Sequence, residues 1–172
     1  MKTEKLLGAL GSIFIILSFI PYLGWLLAVV GLVFLLISLN AYSKSFGDSH
    51  IFNHFLIGFI VGLIGTAISL MFGMSSFFSL LAFMEHEKLA AFSLSGLFFA
   101  FIGYYISLIV ANYFYRRSLV SLGKYTGEKL FNLAGNLLLL GAVLSIIIIG
   151  GIIGLIGWIL LAVAFFKLPE QG

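Results

Sequence analysis

The sequence lacks cysteine, has two prolines and carries little charge: 9% of its 172 residues are Asp, Glu, Lys or Arg. Without cysteine there are no disulfides, thiolate metal sites or Cys nucleophiles. A soluble domain is about 25% charged. So few charges cannot build a water-facing surface, which excludes a soluble globule, a disordered chain and a nucleic-acid-binding module. No acidic or basic residue lies at mid-depth in any long apolar run. An ionisable group there would be a functional site by default. Its absence argues against a proton relay, a voltage sensor and a carboxylate-coupled antiporter, and leaves sodium coupling through carbonyls and hydroxyls open. HExxH, P-loop and nucleotide-binding glycine patterns are missing as well.

What the chain has instead is hydrophobic residues, at 62%, with a formal charge of +3. A helix needs roughly 20 apolar residues to cross a hydrocarbon core of ~30 Å. Leu6 to Ser43 is uncharged and about two spans long, with Pro21 to Gly24 marking a turn and Tyr22 and Trp25 placed as interfacial anchors. Phe131 to Leu168 is charged only at Lys167, and Gly150-Gly151 marks a second turn. The expected fold is therefore all-α: one polytopic transmembrane bundle over 1–172, including two tight helical hairpins. Its six spans are expected at about 6–22, 25–43, 51–72, 90–115, 131–149 and 151–168. A cleaved signal peptide is a poor fit to the first span, because no small-residue cleavage site precedes a polar sequence.

Charge gives the orientation. With the N-terminus inside, six spans place eight of the nine basic residues on the cytoplasmic side and only Lys88 outside. Both termini are then cytoplasmic in a cell membrane. Re-entrant hairpins would give the same tally. Two stretches, Met74 to Lys88 and Ser118 to Asn132, mix Phe and Leu with charges and read as interfacial amphipathic segments, Gly123 and Gly127 breaking the second. Sliding the chain by 133 positions aligns Gly8, Ala9 and Ser12 with Gly141, Ala142 and Ser145, and Gly24-Trp25 with Gly157-Trp158. The slide would place the second turn at Gly154–Gly157 and leave the last arm too short, so length keeps that turn near Gly150.

Small residues drive helices together in lipid, since they let backbones approach closely. Gly58 and Gly62 on the third span, Gly96, Ala100, Gly103 and Ser107 on the fourth, and Gly150 and Gly154 on the last fall at helical spacing. They are expected at helix contacts, with spans three and four packed through them. Lining a pore or cavity is the other reading of such glycines.

Candidate chemical groups are few. His50 and His54 share a helix face, the spacing of many metal sites, but only Asp48 offers a third ligand; two polar residues at a helix start explain them as well. No metal, cofactor or catalytic residue is expected. Glu85, His86 and Glu87 form a short polar cluster on the outer side. Tyr104 and Tyr105 lie within the fourth span and need hydroxyl partners. Arg116, Arg117, Lys124 and Lys129 form a basic inner rim that suits lipid headgroups or serves orientation alone.

Three stretches carry a resemblance: Leu10-Gly11-Ser12 to Leu36, Thr126 to Phe131, and Ala134-Gly135-Asn136 through Trp158 to Phe166. In these the chain resembles an uncharacterised archaeal and bacterial membrane family known as domain of unknown function nine-nine-six. The resemblance implies an integral membrane protein and brings no activity or site residue. The expected role is a structural or accessory subunit without catalysis, its partners being membrane lipids and other membrane subunits or itself. A small-molecule or ion transporter or channel component is the alternative.

Overall fold

The computed structural model describes residues 2–18, 20–82 and 87–169, with the backbone alone for 87–91. Six helices follow one another: α1 (Lys2–Leu17), α2 (Gly24–Phe46), α3 (Ser49–Ala82), α4 (Glu87–Thr126), α5 (Lys129–Val143) and α6 (Ile148–Lys167). Among the described residues the fold is all-α. Each helix packs on the next along the chain, and α6 packs back on α1, closing a ring. All six helices feed one core, in which Leu35, Leu39, Ile51, Phe55, Leu119, Phe131, Leu161 and Phe165 are fully buried.

The three helical hairpins share one packing pattern. Their close approaches fall at Gly11 against Gly31, Gly58 against Ala111, and Leu138 against Gly157. A Cβ on Gly31 would lie 2.6 Å from the Gly11 carbonyl oxygen, and one on Gly58 2.7 Å from that of Ala111. The Ser38 hydroxyl of α2 donates to the Glu4 carbonyl of α1, and the Ser118 hydroxyl of α4 donates to the Ile51 carbonyl of α3. Ala164 holds the third equivalent position. The connections repeat too. Gly47 and Gly127, 80 positions apart, both take a left-handed conformation at φ 67° and 72°, where glycine has no Cβ to clash. The carboxylates that follow them, on Asp48 and Glu128, accept the backbone N–H two residues on. At the opposite ends, the Ser18 hydroxyl donates to the Ile15 carbonyl and that of Ser145 to the Ala142 carbonyl. Gly24 and Gly150 each sit too close to the preceding turn for any side chain.

These matches correct the repeat read from sequence. The first and third hairpins correspond at a shift of 126–127, not 133, so Gly24 matches Gly150 while Gly157 matches Gly31. The second turn lies at 144–147, a few residues before the expected Gly150: α5 ends at Val143, short of the expected 149, and Gly150 stands in the first turn of α6, where its lack of a side chain lets the helix start close against Leu144. Apolar helices match by chance at several registers, and only the packed faces single one out. The third connection of the ring is open: it holds the two termini, and the Lys5 ammonium donates to the Leu168 carbonyl at 2.7 Å across it.

The middle hairpin is much longer than the others. α3 has 34 residues and α4 has 40, against 16 in α1 and 15 in α5. At 1.5 Å per residue the α3–α4 pair extends about 25 Å past the ring. The two interfacial segments expected at 74–88 and 118–132 are absent as separate elements. Met74–Ala82 continues α3, Ser118–Thr126 continues α4, and the helix break falls at Gly127 alone; residues 83–86 lie outside the described residues. No proline interrupts either stretch, and Gly123 is helical and packs closely on Asn132, whose Oδ1 a Cβ would approach to 2.7 Å. The third and fourth helices accordingly overrun the expected 51–72 and 90–115. Among the described residues four helices, α2, α3, α4 and α6, are long and apolar enough to cross a membrane; α1 and α5, two of the six expected spans, are shorter, at 16 and 15 residues.

Candidate functional site: a cationic pocket at the base of the long hairpin

Near the left-handed turns, α3 and α4 form a pocket of about 410 Å³. Its walls come from His50 and His54 of α3 and from Arg116, Arg117, Val120, Ser121 and Lys124 of α4. Helical spacing puts each set on one face: 50 and 54 are one turn apart, as are 117, 121 and 124. The small-residue seam brings the two faces together. Along it Gly58 meets Ala111 and Tyr115, Gly62 meets Ala111, Gly65 meets Ser107, and Gly73 meets Ala100. Gly96 abuts Ser76, whereas Gly103 is exposed, and a Cβ added there would only reach van der Waals distance, 3.6 Å, from the Ser69 hydroxyl.

Local contacts hold the pocket's side chains. The His50 and His54 rings stack with centroids 5.2 Å apart, and His54 also stacks near Phe114 at 6.1 Å. The Arg117 guanidinium lies over the Tyr113 ring at 5.5 Å, within range of a cation–π contact. Arg116 Nε donates to Asn136 Oδ1 at 2.6 Å. Asp48 accepts the His50 backbone N–H at 2.9 Å and so caps α3. The buried Nδ1 of His54 has no hydrogen-bond partner.

The sequence presents the histidine pair and the basic rim as separate candidates; the structure makes them one site, with Lys129 outside its lining. The signal was available as two charged helix faces, but nothing local says that they meet. Among the described residues no group of three or more His, Cys, Asp or Glu is placed to hold a metal ion. Two arginines and a lysine beside the imidazoles make the pocket a better host for an anion than for a cation.

The other singled-out residues disperse. Gly150 sits against the Leu144 carbonyl at the turn. Gly154 offers its backbone to Gly141, whose Cβ would come within 2.6 Å of the Gly154 nitrogen, yet a Cβ on Gly154 itself would meet nothing within 4 Å. The Tyr105 phenol donates to the Val143 carbonyl at the C-terminal end of α5. Tyr104 is exposed. A second cavity of about 540 Å³ opens between the projecting parts of α3 and α4, with Ser69, Ser76, Ser79 and Ser93 in its lining. Glu85, His86 and the side chain of Glu87 lie outside the described residues.

A six-helix ring with this profile is a helical bundle dressed in apolar surface, and its sequence places it in a family. Residues 27–159 match the family described as "Protein of unknown function (DUF996)", and the chain belongs to it. It is similar to "Uncharacterized protein MJ1644" of Methanocaldococcus jannaschii, with 31% identity over 171 residues, covering 99% of this chain and 94% of that protein. No solved structure matches.

Proposed function

We propose that this chain is a multi-pass protein of the cell membrane, with both termini cytoplasmic, that acts as a structural or accessory subunit and performs no catalysis. The observation that carries the reading is the filled core. Side chains from all six helices meet in one cluster, with Phe131 and Phe165 at 5.1 Å and Phe55 and Tyr115 at 4.4 Å. A transporter that works through the ring would need a polar cavity at mid-depth. The apolar exterior supports a lipid setting: Phe72, Phe92 and Phe99 are 65%, 78% and 69% exposed, and every helix shows large apolar residues outward. In lipid such faces cost nothing and remain free to pack on another bundle.

The basic residues of the turns and termini set the ring's base at the cytoplasmic face. From there α1 and α5, at about 24 and 22 Å, fall short of a ~30 Å core, whereas α3 and α4 exceed it. The long hairpin is then the element that reaches partners beyond the ring. The serine-lined crevice in that hairpin favours the second reading, a transporter or channel component, with the crevice as its polar site.

Gentle solubilisation of native membranes, followed by mass measurement and proteomics, tests the proposal. A stable assembly with other membrane subunits or with further copies is expected. A lone chain that moves a solute in proteoliposomes overturns it in favour of the second reading.

A further inference from the structure

We infer that the pocket between α3 and α4 is a discrete binding site for a phosphate group, either the headgroup of an anionic lipid or a free phosphate compound. The headgroup source rests on the membrane reading above; the phosphate chemistry does not.

The internal repeat supplies the control. If the basic residues served only to orient the chain or to stabilise the ring, equivalent positions in the other hairpins should carry similar residues. They do not. Where α4 has Arg116 and Arg117, α2 has Leu36 and Ile37 and α6 has Ala162 and Val163. Where α3 has His50 and His54, α5 has Leu130 and Ala134. The same packing therefore forms twice without these groups. Lys124, by contrast, matches Lys44, as expected of a charge that marks the cytoplasmic base. Four polar groups have been added to one hairpin only, and they line one pocket.

The chemistry of the lining selects the ligand. Arg116, Arg117 and Lys124 bring three positive charges to one wall, with no carboxylate in the lining. Such a cluster is self-repelling until an anion enters, and guanidinium forks suit phosphate oxygens. Asp48, the nearby acid, is engaged as the cap of α3. The His50 imidazole and the Ser121 hydroxyl, both in the lining, complete a set of groups able to hydrogen-bond phosphate oxygens. The pocket opens at the level where the charged base gives way to the apolar wall, which is where a lipid phosphate lies.

The test uses the full chain. In detergent, titration with inorganic phosphate should show saturable binding. In phosphatidylcholine nanodiscs containing phosphatidylglycerol, native mass spectrometry should show retained phosphatidylglycerol that millimolar phosphate displaces. The variant Arg116→Leu/Arg117→Ile installs the residues of α2 and should weaken binding roughly thirtyfold, from about fivefold per charge. His50→Leu/His54→Ala, the residues of α5, is the second variant should the first fail to fold, and should weaken binding as well. Lys129→Gln should stay within about twofold. Phosphate binding without phosphatidylglycerol retention assigns the site to a soluble phosphate compound. Absence of binding to either, or equal loss in Lys129→Gln, overturns the proposal. Flotation with liposomes reads the membrane assignment separately, since every variant should float if that assignment holds.

Discussion

Gly141 and Gly154 face each other across the α5–α6 contact, and by spacing alone both look like packing residues. Their surroundings predict opposite outcomes for the same substitution. A Cβ at Gly141 would lie 2.6 Å from the Gly154 nitrogen, 2.8 Å from its Cα and 2.9 Å from the Gly150 carbonyl oxygen. All three are backbone atoms of α6, so no side chain can rotate away and the helices must separate. Overpacking of this kind costs about 1–3 kcal/mol. For a chain of this size that lowers the melting temperature by roughly 2–4 °C per kcal/mol, so Gly141→Ala should melt about 2–12 °C below the parent. At Gly154 the new methyl meets nothing within 4 Å. Gly154→Ala gains helix propensity, worth up to about 1 kcal/mol, and should melt at or slightly above the parent temperature. The assay is thermal unfolding of the purified chain in one mild detergent, followed by circular dichroism. Equal effects of the two substitutions would refute the asymmetric contact, and a harmless Gly141→Ala would refute the close approach itself.

Three further outcomes follow from the same geometry. Because the chain has no cysteine, single cysteines report topology directly: Leu23 and Gly151 should label from outside, and Ser45 and Thr126 only after permeabilisation. Outside labelling of Ser45 would defeat the orientation, and protection of Leu23 and Gly151 would make the short hairpins re-entrant. Gly47→Ala and Gly127→Ala force a Cβ into the left-handed region and should each cost about 1–2 kcal/mol in the same melting assay, although neither position is crowded. A circular permutant that joins the termini through a short linker and opens at Gly47–Asp48 should fold, since Lys5 and Leu168 already touch; failure to recover a folded chain would count against the three-hairpin ring.

Much of the class and part of the architecture were legible in the residues themselves. Helix formation by long uncharged apolar runs is a local property, and so are breaks at Pro21–Gly24 and near Gly150. These follow from backbone chemistry within a few residues. The small-residue faces of α3 and α4 were legible for the same reason, since helical period alone puts Gly58, Gly62 and Gly65 on one side.

Tertiary structure decided what depends on which faces meet. Whether Met74–Ala82 and Ser118–Thr126 lie along an interface or continue their helices could not be read from mixed polarity, because a polar residue is equally at home in a seam between helices. The true repeat register emerged only from equivalent contacts, such as Ser38 to Glu4 and Ser118 to Ile51. The pocket is the clearest case. His50 and His54 belong to α3, and Arg116 and Arg117 follow some sixty residues later on α4. Only the close glycine seam, which places one helix rotation rather than another against its neighbour, brings a histidine face and a basic face together as the lining of one pocket.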